Sequence, residues 1–118
     1  MKLNEYQRES LEFNDIPEQI RIIYSAVGLA EEAGEVCGKI KRLIYDNVNS
    51  ICTRGRLKDY INEEQKLYIA KELGDVMWHL AQLSEEIGWS LEDVAGLNLE
   101  KLLDRSRRGV IRGEGDER

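Results

Sequence analysis

Several residue types are almost missing from this chain of 118 residues, and each scarcity excludes something. Cysteine occurs twice, at Cys37 and Cys52. That is too few for a disulfide framework, and the spacing is not a CxxC metal motif, so two free thiols are expected. Histidine occurs once, at His79, and the residue three before it is Val76. Di-iron helical bundles, which need two Glu-x-x-His motifs, are therefore excluded. The only proline is Pro17, so long helices can run without interruption. No apolar run approaches the roughly 20 residues of a membrane span, and the polar N-terminus lacks a signal-peptide pattern. A soluble, cytoplasmic protein with no membrane partner is expected. There is no basic excess either. The net charge is -6, which argues against general binding to nucleic acid. What is present is 42% hydrophobic residues, enough for the core of one domain.

The hydrophobic spacing is helical nearly everywhere, and no strand pattern stands out, so an all-α bundle of four main helices is expected. The first helix runs from Asn4 to Phe13. Pro17 suits the first turn of a second, with Asp15 or Ile16 at its cap, running to about Asp46. Its apolar seam is Ile22, Ala26, Leu29, Ala33, Val36, Ile40 and Leu43, the alternating four-three step of a packed bundle. Asn47 to Ile61 breaks the pattern and reads as an irregular loop. Asn62 with Gln65 forms a capping box for a third helix, whose seam is Ile69, Leu73, Val76, Leu80, Leu83 and Ile87. Gly88 ends it. Ser90 with Asp93 opens a fourth, running to about Arg108. Residues 1–112 thus form one helical domain, and residues 113–118 a mobile tail.

Two stretches echo each other. Residues 29–36 read LAEEAGEV and residues 69–76 read IAKELGDV. At about 100° per residue, Glu32 and Glu35 lie roughly 60° and 120° to one side of Leu29, and Glu72 and Asp75 lie at the same angles from Ile69. Antiparallel packing along the seams brings four carboxylates together. Four anions at the edge of a core repel strongly and call for a compensating cation. Oxygen donors without histidine or cysteine suit Mg²⁺ or Mn²⁺, and divalent ions can activate water and clamp a phosphoryl group. The plain alternative is a solvated acidic face paired with Lys39, Lys41 or Lys71. Gly34 and Gly74, mid-helix and at equivalent positions, suggest close approach by another group. Glu31, four residues before Glu35, is either a general base or a peripheral ligand. Lys39, four after Glu35, and His79, four after Asp75, can each lean towards a phosphate or a base, although a buried hydrogen-bonding role also suits His79.

The E-E-x-x-E of Glu31, Glu32 and Glu35, followed by E-x-x-D at Glu72 and Asp75, resembles the signature of the all-α nucleoside triphosphate pyrophosphohydrolases, and of single-domain MazG-like proteins in particular. "GLAEEAGEV", "KELGDVMWHLA", "NLEKLLDR" and "RGVIRGEGDER" all resemble that group, from about Tyr6 to the tail. The stretch between Glu35 and Glu72 is longer than is usual there, the extra length falling at 47–61. The resemblance implies a helical bundle assembled as a homodimer or homotetramer, and Mg²⁺-dependent hydrolysis of an NTP or dNTP to the monophosphate and pyrophosphate. It implies metal ligation by Glu32, Glu35, Glu72 and Asp75, with Glu31 as base or neighbour. It further implies nucleotide contacts from Asn98 and Lys101, with Arg105 near a phosphate and Lys39, Lys101 or Arg105 stabilising the departing charge. Asn98, a polar residue on an apolar helix face, would equally serve an inter-helix hydrogen bond. Trp78, Trp89 and Tyr6 are candidates for stacking on the base, with a subunit interface as the other use for Trp78. A non-catalytic helical oligomer binding nucleotide or metal for regulation is the alternative from another class.

Overall fold

The computed structural model describes residues 1–53 and 55–118. Four helices follow one another: α1 (Leu3–Ser10), α2 (Arg21–Thr53), α3 (Glu63–Glu86) and α4 (Leu91–Arg107), with short 3-10 turns at Leu11–Phe13, Glu18–Ile20 and Leu57–Tyr60. No strand occurs among the described residues. No described helix is long and apolar enough to cross a membrane.

The caps follow local chemistry. The Asn62 side chain accepts from the Gln65 amide at 2.8 Å while Gln65 Oε1 accepts from the Asn62 amide at 3.0 Å, satisfying two donors that a helix start leaves orphaned. Ser90 caps α4 by accepting from the Asp93 amide at 3.1 Å. Gly88 ends α3 at φ 77°, a conformation that costs other residues a Cβ clash. Pro17 does not open α2. It precedes the 3-10 turn Glu18–Ile20, and α2 begins at Arg21.

The irregular loop expected over 47–61 is partly helix. The break at Asn47 exists, but as a kink: φ is -124° and the Asn47 side chain donates to the Leu43 carbonyl at 2.9 Å. A side chain inserted into the ladder bends a helix without ending it, and α2 continues to Thr53.

The largest interface is α2 packed antiparallel on α3, and its stripe coincides with the expected seam only in part. Ser25, Gly28 and Leu43 are buried on α2, and His79 and Gln82 on α3, with Glu32, Val36, Glu72, Val76 and Leu83 half-buried between them. Ile22, Leu73, Leu80 and Ile87, seam positions in the sequence reading, are instead between 37% and 56% exposed. Both helices are turned towards their polar edge, by roughly 60° of helix rotation. Half of each apolar seam is left uncovered.

Side-chain hydrogen bonds tie α1 to the turn between α3 and α4. Gln7 donates to Glu85 Oε2 at 2.9 Å and to the Trp89 carbonyl at 3.0 Å, and accepts from the Leu91 amide at 2.6 Å. Gln82, with no exposed surface, donates to Ser10 Oγ at 3.0 Å and accepts from Asn14 Nδ2 at 2.9 Å. Buried amides tolerate an interior only when paired in this way.

The molecule is extended. Its radius of gyration is 17.7 Å, against about 13.5 Å for a compact domain of this length. It exposes 9091 Å², against roughly 6,500 Å² for a folded monomer of this size.

Candidate functional site

The rotation of α2 and α3 has a direct chemical consequence, because it carries Glu32 and Glu72 into the stripe between them. Glu32, Glu72 and Asp75 each bring one carboxylate oxygen into a group whose members lie within 4.8 Å of one another. Such proximity is costly for anions in a half-desolvated setting. Burial and then the charge of Asp75, with smaller contributions from Glu31 and Glu72, raise the Glu32 carboxyl above its ordinary value, and His79 opposes the rise. The Tyr6 hydroxyl, brought in by α1, is likewise raised by burial and by Asp75.

Two side chains buttress the trio. Lys39 Nζ lies 3.3 Å from Glu72 Oε1, and His79 Nε2 lies 4.0 Å from Glu32 Oε1. The His79 ring is buried edge-on against Trp78, 5.0 Å between centroids, with Tyr24 at 6.0 Å. Its position depends on Gly28: a Cβ there would fall 2.1 Å from His79 Cε1. The glycine that a close approach requires is thus Gly28, whereas Gly34 and Gly74 have nothing within 4 Å of a would-be Cβ.

The donor set is three carboxylates of opposite charge to a hard divalent cation, crowded enough to perturb one of their own number, so the residues fit such an ion. Glu35 and Glu31 are exposed and stand outside the trio.

A family model described as the MazG nucleotide pyrophosphohydrolase domain matches residues 25–110, which include both carboxylate motifs and α4. The chain belongs to the MazG family. A similar protein, the Gene 37 protein of Mycobacterium phage L5, is 41% identical over 96 residues, covering 80% of this chain and 75% of its own. No solved structure matches. The resemblance read from the paired motifs is therefore correct at the level of family, and the all-α architecture agrees with it.

The remaining residues singled out in this MazG chain lie apart from the trio. Asn98 lines a cavity of about 280 Å³ with Leu3, Met77, Leu80 and Leu91. Lys101 and buried Arg105 both hold Asp116, at 3.1 and 3.0 Å, and Arg105 also donates to the Asp116 carbonyl at 3.1 Å. The tail thus lies against α4. Hydrogen bonds from Lys101 and then Arg105 hold the Asp116 carboxyl below its ordinary value. Sequence reasoning missed the Tyr6–Asp75 proximity and the Gly28–His79 fit. No local signal carries the first. The second was available only as a glycine and a histidine on two helices that pack antiparallel.

Proposed function

We propose that this chain hydrolyses a (deoxy)nucleoside triphosphate to the monophosphate and pyrophosphate. The observation that carries the proposal is the convergence of Glu32, Glu72 and Asp75 within 4.8 Å in a protein of the MazG family. In this reading the trio, joined by Glu35 from one turn along α2, holds Mg²⁺ or Mn²⁺. When bound, the cation neutralises the triphosphate and makes a water molecule acidic enough to deprotonate near neutral pH.

The side chains divide the remaining work. Glu31, exposed beside Glu32, accepts the proton of the attacking water. The water oxygen bonds to the α-phosphorus, the bond to the bridging oxygen breaks, and pyrophosphate leaves with the electron pair. Lys39 exchanges its carboxylate partner for an oxygen of the departing group. His79, wedged against Gly28, holds Glu32 in line. Asn98, Lys101 and Arg105 contact the nucleotide from α4. In the single chain Asp116 occupies the two cations, so their use requires the tail to yield or a second copy to bring them to the trio.

Assembly supports that last point. The exposed area exceeds that of a folded monomer of this size by roughly 2,500 Å², which matches one subunit's share of a large obligate interface. The uncovered seam positions Ile22, Leu73, Leu80 and Ile87 supply the apolar surface. A homodimer or homotetramer is the form we assign to the active protein.

The test is pyrophosphate release from a panel of NTPs and dNTPs with Mg²⁺. The expected outcome is release by the parent, lowered at least about a hundredfold in Glu72→Gln and by roughly 10²–10⁴-fold in Glu31→Gln, the range for a lost general base. A parent that binds Mg²⁺ yet cleaves no triphosphate would overturn the proposal in favour of a regulatory metal- or nucleotide-binding role.

A further inference from the structure

Next to the trio, α2 and α3 enclose a pocket of about 250 Å³ that the reading above leaves without a use. Lys39 links the two: it lines the pocket, and its Nζ is 3.3 Å from Glu72. A triphosphate seated over the carboxylates therefore has the pocket within reach of the rest of the nucleotide. The volume is below the roughly 300–1,000 Å³ that house a whole drug-sized ligand, and suits one ring system.

The lining is selective. Leu43, Ile69 and the Tyr68 ring give apolar walls on which a planar base can lie. Arg42 brings only donors. Gln65 also lines the pocket; its Oε1 is turned to the Asn62 amide at 3.0 Å, and its Nε2 brings two donors. Asp46 brings a carboxylate, which accepts at two oxygens. A base matched to this wall carries two adjacent N–H groups beside a carbonyl oxygen. Guanine has that edge, with N1–H and N2–H for the carboxylate and O6 for the amide or guanidinium. Adenine and cytosine place a ring acceptor beside their amino group, which a carboxylate repels. Uracil and thymine offer one N–H between two carbonyls and engage a single oxygen of Asp46.

We infer that this pocket receives the base of the substrate and that Asp46 makes the protein select guanine nucleotides. The inference rests on the trio being the triphosphate site. The experiment has two arms on the full chain. The first is calorimetric binding of dGMP, dAMP, dCMP and dTMP without divalent cation, to the parent, Asp46→Asn and Tyr68→Ala. The second is pyrophosphate release from the four dNTPs with Mg²⁺. The parent is expected to bind dGMP at least about tenfold more tightly than dCMP, the discrimination of one bidentate pair. Asp46→Asn is expected to bring that ratio close to one, and Tyr68→Ala to weaken all four. Equal affinities in the parent, or a guanine preference that survives in Asp46→Asn, overturn the inference. Hydrolysis without base preference refutes the pocket assignment and leaves the hydrolase standing, whereas guanine-selective binding without hydrolysis of any dNTP does the reverse.

Discussion

Gly28→Ala is a one-carbon perturbation whose sign separates tertiary packing from helix propensity. In an exposed helix, replacing glycine by alanine stabilises by about 1 kcal/mol. At Gly28 the new Cβ would stand 2.1 Å from His79 Cε1, 2.4 Å from Nδ1 and 2.6 Å from Nε2. Ordinary contact begins at 3.4 Å, so the ring has to retreat by about 1.3 Å, the difference between the two figures. It has little room: His79 is 8% exposed and walled by Trp78. Overpacking of this kind costs typically about 1–3 kcal/mol. Set against the propensity gain, the net is a loss of about 1 kcal/mol, which lowers Tm by about 4 °C for a domain of this size. Gly38→Ala is the control, since a Cβ there meets nothing within 4 Å, and it should raise Tm by a comparable amount. Thermal melts of parent and both variants at one protein concentration measure the difference, the fixed concentration removing any effect of assembly. Displacing His79 also moves the group 4.0 Å from Glu32, so pyrophosphate release should fall in Gly28→Ala and not in Gly38→Ala. A Gly28→Ala protein that melts at or above the parent would show that His79 is not held in the notch, and the buttressing role would go with it.

Two further outcomes follow from the same geometry. Because the Glu32 carboxyl is raised in the folded chain above its ordinary value of 4.5, its contribution to stability is complete below pH 4.5 and is lost as pH rises through the folded value. Denaturant melts of the cation-free protein should therefore show this decline above pH 4.5, Glu32→Gln should remove it, and a saturating divalent cation should restore stability to the parent alone, by about 2.7 kcal/mol at a hundred times Kd. Gln82→Ala leaves the Asn14 amide without its buried acceptor and Ser10 without a donor; a loss of about 1–3 kcal/mol is expected, with hydrogen exchange rising first in α1, and unchanged α1 protection would disprove the role of Gln82 as its anchor.

Much of the helical organisation was legible because it is local. The capping box at Asn62 and the stop at Gly88 need only neighbours three or four residues away and form as read, whereas at Ser90 only half of the box is made: Ser90 Oγ accepts from the Asp93 amide, and the Asp93 carboxylate takes the Ser90 hydroxyl instead of its amide. The break at Asn47 was legible as a weakness, but whether a weak point ends a helix or bends it depends on the side chain finding a carbonyl, here that of Leu43. The apolar seam was read from its centre of hydrophobicity. That centre became the α2–α3 interface only in part, at Val36, Leu43, Val76 and Leu83, while Ile22, Leu73, Leu80 and Ile87 stay exposed, since periodicity marks an apolar face without saying how far a neighbouring helix covers it.

The sequence by itself determined the family and the carboxylate pairs. Glu32 with Glu35 and Glu72 with Asp75 are i, i+3 neighbours on any helix, and their repetition needs no tertiary information. Only the tertiary structure decided which of them meet. The rotation of α2 against α3 brings Glu32, Glu72 and Asp75 together and leaves Glu31 and Glu35 outside. It also sets Lys39 and His79 against the trio and opens the pocket beside Asp46. The physical reason is that helical periodicity specifies an angle around one axis, whereas the relative rotation and register of two axes are set by which side chains fit: an imidazole on α3 seated where α2 has no Cβ.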